Sequence, residues 1–257
     1  YLALAGFEAI TRDFTDLPLV VERARQARSE ALSAGPDPDE EARQLESLAR
    51  AADPALALQG ELGLARLAVR SDQPEGAIER YERILTRFAA QPEGTLVATR
   101  ELAGLLQSTG SLDRALDLLR AAEAAAAGEA RVLLREDLSK ALQGAGRFRE
   151  AEVVLEKTLE EHPEDAEIVA RARLHLAGIA DQAGRVDRAR GLYEQVASAE
   201  VDVELRAAAL FGKATLQRRL GKTGEALPLM DEALALLPGG HPMRGAVAVE
   251  RAELLVE

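Results

Sequence analysis

The sequence predicts an all-α protein built from consecutive helix hairpins. Three observations predict it: a composition of helix formers, a short phrase that returns at a nearly constant interval, and a polar or glycine-bearing turn ahead of each return. Of 257 residues, 47% are apolar and 30% charged, but only 3% are aromatic. The apolar share is mostly Ala and Leu and the charged share mostly Arg and Glu, all strong helix formers. Trp, Cys and Asn are absent.

The phrase pairs an alanine with a larger apolar residue four places on: Ala77 with Tyr81, Ala115 with Leu119, Ala151 with Leu155, Ala189 with Tyr193, and Ala226 with Met230. A further residue follows three beyond: Ile84, Ala122, Thr158, Val196 and Ala233. Steps of four and three return to one face of a helix. The alanines lie 36 to 38 residues apart, an interval expected of a repeat architecture.

A turn precedes each phrase: Ser71-Asp72-Gln73, Gly110-Ser111, Gly144 to Gly146, Gly184-Arg185 and Gly221-Lys222. Ahead of each turn lies another helical stretch with a small residue twelve places before the alanine: Ala65, Ala103, Ser139, Ala177 and Ala214. Two antiparallel helices approach to the short end of the ~8–10 Å range only where small side chains meet. Glycine is the usual residue to end the first of them.

Towards the N-terminus, Ala42, Leu45, Ala49 and Pro54 predict a second helix in the same register. Its first helix is expected over Leu17 to Ala34, with Gly35-Pro36-Asp37-Pro38 as the turn. Ala3, Phe7 and Ile10 predict one more second helix. At the other end, Pro242 to Val256 reads as an unpaired first helix, a cap or an interrupted repeat. The missing initiator Met suggests a processed or trimmed piece, and Tyr1 to Phe14, which carries Glu8 and no basic start, does not read as a signal peptide.

These features resemble the tetratricopeptide repeat, whose pattern sets small residues at its eighth and twentieth places and bulky ones at its seventh and twenty-fourth. The resemblance covers five repeats over 55–238, with degenerate repeats over 1–54 and a capping or truncated helix over 239–257. It implies one right-handed α-solenoid of about fourteen helices over 1–257. The bulky residue usual at the fourth place is mostly missing, as at Thr99, Arg135 and Arg173. The period exceeds the family's 34, which implies longer helices. Long periods and phrases such as Ala77 to Leu85 are similar to repeats of bacterial cell-envelope assembly proteins, which implies an envelope or periplasmic location over a cytoplasmic one.

In this family the first helix of each pair lines a concave groove. Carried onto this chain, the groove positions include Arg66, Arg100, Glu136, Lys140, Arg171, Leu174, Phe211 and Arg218. Basic residues outnumber acidic ones there, which implies a mildly basic groove for an acidic or extended peptide segment. The expected function is a scaffold or adapter that binds a protein or peptide, with a ligand- or peptide-sensing regulatory domain as the alternative. Chaperone-binding members clamp a terminal carboxylate with Lys and Asn; this chain has no Asn, so that clamp is not expected.

No catalysis, cofactor or metal is expected. The net charge of −12 argues against nucleic acid. No uncharged apolar stretch approaches the ~18 residues that span a bilayer. Gly221-Lys222-Thr223 imitates the end of a phosphate-binding loop, but Leu216 stands where that loop needs glycine. His162, His175 and His241 sit in no metal-ligand spacing and read as surface or junction residues. No Cys supplies a thiol nucleophile, and no Ser lies in a motif that pairs it with a base.

Overall fold

The structure, a computed structural model, describes residues 38–255. Twelve helices lie among them: α1 Pro38–Ala49, α2 Pro54–Arg70, α3 Pro74–Arg87, α4 Pro92–Ser108, α5 Leu112–Ala125, α6 Gly128–Gly144, α7 Phe148–Glu161, α8 Ala166–Gln182, α9 Val186–Ala197, α10 Val203–Arg219, α11 Thr223–Leu236 and α12 Pro242–Leu254. No strand occurs among the described residues. The helices expected around Ala3 to Ile10 and over Leu17 to Ala34 lie outside them.

Each even-numbered helix from α2 to α10 is the first of a pair and has 17 residues. The second helices are shorter, with 14 residues in α3, α5, α7 and α11 and 12 in α9. Every pair closes through the same turn. The second residue after the first helix takes a left-handed conformation at Asp72 (φ 56°), Gly110 (φ 80°), Gly146 (φ 71°), Gly184 (φ 72°) and Gly221 (φ 74°). The next amide then reaches back over the helix end. Ser111 N–H donates to Leu106 C=O at 2.7 Å, Arg185 N–H to Ala180 C=O at 2.8 Å, and Gln73 N–H to Ala68 C=O at 2.9 Å. This satisfies carbonyls that the helix end leaves unpaired, and glycine adopts the required φ without a Cβ clash. Starts are capped as locally: Asp53, Asp165 and Asp202 accept from the first-turn amides of α2, α8 and α10.

The chain divides into two compact units, Tyr1–Thr95 and Leu96–Glu257. In the first, α1 packs on α2 and α2 on α3. In the second, each helix from α5 to α12 packs on the next, and the first helices also touch across pairs, α6 with α8 and α8 with α10. That second contact makes a stack of hairpins an α-solenoid: first helices share one face and second helices the other.

The repeated alanines are the crossing points. Ala77, Ala115, Ala151, Ala189 and Ala226 are all fully buried, as are Ala65, Ala177 and Ala214; Ala103 and Ser139 are 1% exposed. The large partners Tyr81, Leu119, Leu155, Tyr193 and Met230 are buried beside them. Ala122 is the exception in the third place, partly exposed where Ile84, Thr158, Val196 and Ala233 are buried.

Adding bulk at a crossing must push two helices apart. Ala115→Leu and Ala151→Leu are each expected to cost about 1–3 kcal/mol. Ala125→Leu, on the exposed end of α5, should stay within about 0.5 kcal/mol of the parent. Urea unfolding of the three variants checks this, and equal midpoints would contradict the packing.

Candidate partner-binding face

The face lined by first helices in the second unit carries a chain of charges across α4, α6 and α8. Arg100 on α4 donates through Nε and Nη2 to the carboxylate of Asp137 on α6, the longer contact being 3.3 Å. This bidentate pairing raises the Arg100 pKa. Lys140, one turn further along α6, sets its ammonium 3.9 Å from the same carboxylate. Arg171 on α8 reaches Glu136 on α6, Nε to Oε1 3.3 Å. Glu136 is 8% exposed. Burial raises its pKa, and the charges of Arg171 and Lys140 pull the other way.

His175 stands one turn beyond Arg171 on α8, on the same face. Its Nδ1 is buried and has no hydrogen-bond partner among the described residues. Burial first, then the cations of Lys140 and Arg171, hold the imidazole at about 4, with Asp137 opposing. His175 stands in the middle of α8 and is half-buried, where a surface or junction residue was expected. His162 and His241 do lie at junctions: His162 follows α7, and His241 caps α12, its Nδ1 accepting from Met243 N–H at 3.2 Å. No group of three metal-binding side chains lies among the described residues.

The structure thus gathers four of the expected groove residues, Arg100, Glu136, Lys140 and Arg171, into one network. Two more belong to it that residue pattern did not single out, Asp137 and His175. Both sit one place after a groove position, and nothing in sequence spacing says that a carboxylate of one repeat meets the arginine of the repeat before. Leu174 is partly buried against the core of α8, α9 and α10, and Phe211 against that of α10, α11 and α12. Arg218 on α10 pairs with Glu250 on α12 at 2.8 Å. Arg66 lies in the first unit, exposed on α2. Asp181, on α8, is paired with Arg219 on α10. Arg100, Arg171 and Arg218 therefore already hold a carboxylate, and Lys140 lies at the edge of contact with one.

The face also has gaps. Gly104 on α4 has nothing within 4 Å of where a Cβ would stand, and Gly178 on α8 has only Gln143 Nε2, at 3.9 Å. On α6 and α8 the half-buried Leu133 and Leu174 add apolar side chains.

The low imidazole pKa fixes the sign of a pH effect. The unfolded chain binds a proton at His175 near pH 6.5, whereas the folded chain resists until about 4. Stability from this site is therefore complete above pH 6.5 and is lost as the pH falls towards 4. Glu136 has the opposite sign, so the comparison must be differential. His175→Leu is expected to lose less in melting temperature than the parent between pH 7 and pH 4.5. A parallel loss would contradict an imidazole held neutral in the folded chain.

Comparison with known proteins agrees with this architecture. Models of the tetratricopeptide repeat match residues 62–130, 106–170 and 142–214. Together they span 62–214, more than half of the chain. No curated protein sequence matches it significantly. Among solved structures it is similar to BtubC (BKLC) from P. vanneervenii, at 18% identity and TM-score 0.57, over 80% of this chain and 91% of that one. It is likewise similar to TTC0263, a thermophilic TPR protein of Thermus thermophilus, at 21% identity and TM-score 0.55, over 78% and 100%. A tetratricopeptide repeat protein from Parabacteroides merdae aligns over 99% and 90% at 16% identity and TM-score 0.50. At these identities the likeness is one of fold. The anchoring alanines, the five matching turns and the family models agree: this chain belongs to the tetratricopeptide repeat family.

Proposed function

We propose that the chain is a protein-interaction scaffold whose second unit holds a polypeptide segment against the face of α4, α6, α8 and α10. One observation carries the reading: that face combines partly buried apolar side chains with unfilled space at Gly104 and Gly178. A helix gains roughly 1 kcal/mol per residue when an interior glycine becomes alanine, so two open glycines there make room at some cost in helix stability. Family membership supports a binding role in general.

The charges narrow the partner. Arg100, Arg171 and Arg218 already have carboxylates within reach, so the face is a balanced ladder and no simple cation sink. Lys140, exposed and only loosely held at 3.9 Å, is the cation with most to offer an acidic group on the segment. A partner of mixed charge with a carboxylate opposite Lys140 fits best. The chain's Ala, Leu and Arg bias and long repeats fit a bacterial cell-envelope assembly protein; no described helix is long and apolar enough to cross a membrane.

Reversing Arg100 and Arg171 would break ion pairs as well as block a partner, so filling the gaps is the cleaner test. Gly104→Met and Gly178→Met should leave the melting temperature equal or higher, since each replaces a helical glycine. The double variant, used as bait with cross-linking and mass spectrometry, is expected to lose a partner that the parent retains. Val153→Asp, on the second helix α7 and 51% exposed, should keep it. Retention by the double variant together with loss by Val153→Asp would move the interface to the other face.

A further inference from the structure

The five repeats can be compared at one pair of places: four residues before the small residue of the first helix, and ten after the anchoring alanine of the second. In the first unit these are Glu61 and Arg87, and they form an ion pair at 3.1 Å with Glu61 9% exposed. In the third repeat the charges are exchanged. Arg135, 4% exposed, donates through both terminal nitrogens to Glu161 at 2.8 and 2.9 Å, and through Nε to Glu123 at 2.8 Å. In the fifth repeat the pair is Leu210 and Leu236, both in one apolar cluster. The second repeat has Thr99 and Ala125, with no charge.

The fourth repeat breaks the rule. It keeps the arginine, Arg173, but the residue in the place of Glu161 is Ala199, and the residue in the place of Glu123 is Leu159. Arg173 is partly buried and makes no hydrogen bond or ion pair among the described residues. A cleft of about 240 Å³ lies beside it, lined also by Val169, Gln195, Val196, Ala199 and Val201. An arginine fork binds a carboxylate through two parallel hydrogen bonds, and the Arg173 fork has both of its donor edges unengaged by the described residues.

We infer that this cleft is a binding site for the side-chain carboxylate of a glutamate on a partner polypeptide, which takes at Arg173 the place that Glu161 takes at Arg135. The valines and Ala199 would pack the methylenes of that side chain, and Gln195 stands at the rim as a second polar group. Glu164 also lines the cleft, but it is exposed and forms no ion pair with Arg173. The site lies at the open end of the fourth hairpin and does not depend on the reading of the concave face.

The test uses the whole chain and three blocked tripeptides: acetyl-Ala-Glu-Ala-amide, the same peptide with Gln, and acetyl-Ala-Ala-Ala with a free terminal carboxylate. The Arg173 Nε–H resonance is followed by NMR during each titration. The Glu peptide is expected to bind at least about tenfold more tightly than the Gln peptide, the ratio that one charge-assisted contact supplies. Ala199→Glu should supply the carboxylate internally, raise the melting temperature and abolish the titration; Arg173→Met should abolish binding without unfolding the chain. Equal binding of the Glu and Gln peptides, or no shift with either, overturns the inference. So does binding that survives Ala199→Glu, or a response to the free terminal carboxylate alone. If Glu164→Gln binds the Glu peptide and the parent does not, Glu164 serves Arg173 itself, and the partner site is ruled out.

Discussion

Two helices of a hairpin can pack along their whole length only if their backbones come close at one point, and this molecule meets that demand with a methyl group. Each crossing pairs an alanine of the second helix with an alanine or serine of the first, sealed from water. The chain must reverse within two or three residues to bring those places opposite each other. The left-handed residue at the turn, with its back-bonded amide, makes the reversal that tight. Once hairpins close in this way, the first helices of neighbouring pairs in the second unit also touch one another, α6 with α8 and α8 with α10, and they share a face.

A core made of Ala and Leu with few aromatics leaves thin contacts between helices, and charge bridges supplement them. Glu61 with Arg80 and Arg87, Arg135 with Glu123 and Glu161, and Glu152 with Arg188 join different helices, and Glu152 also holds Arg185 in the turn ahead of α9, with one partner buried in each case. Such pairs add little net stability beside an apolar contact of the same shape, but removing one partner strands the other. They therefore hold the chain to one register. The same excess of carboxylates, 44 against 32 basic side chains, explains why Arg100, Arg171 and Arg218 on the first helices arrive already paired.

Repetition also exposes differences. Five hairpins with nearly the same skeleton solve the fourth-place problem by an ion pair, by its reverse, by an apolar pair, by a small polar residue and, once, by an arginine left open. His175 belongs to the same kind of local departure: an imidazole kept neutral in a wall of charges because the helices around it exclude water.

The hairpins were legible in the residues alone. Small residues twelve places apart, an apolar residue four beyond, and a glycine or Asp72 between them leave few other ways to bury the alanine face, since each relation is local and set by helix geometry. The sequence also placed the groove positions on first helices, because that depends only on register. What it could not determine was the company those residues keep. Arg100 and Asp137, Arg171 and Glu136, and Arg135 and Glu161 are 37, 35 and 26 residues apart, on helices whose axial stagger is set by how neighbouring hairpins pack. A long side chain meets a carboxylate or misses it on a shift of one helical turn, and no periodicity records that shift. For this reason the helix pattern was legible in the residues, whereas the balanced charge of the face, the half-buried imidazole and the open arginine emerge only when the hairpins are packed together.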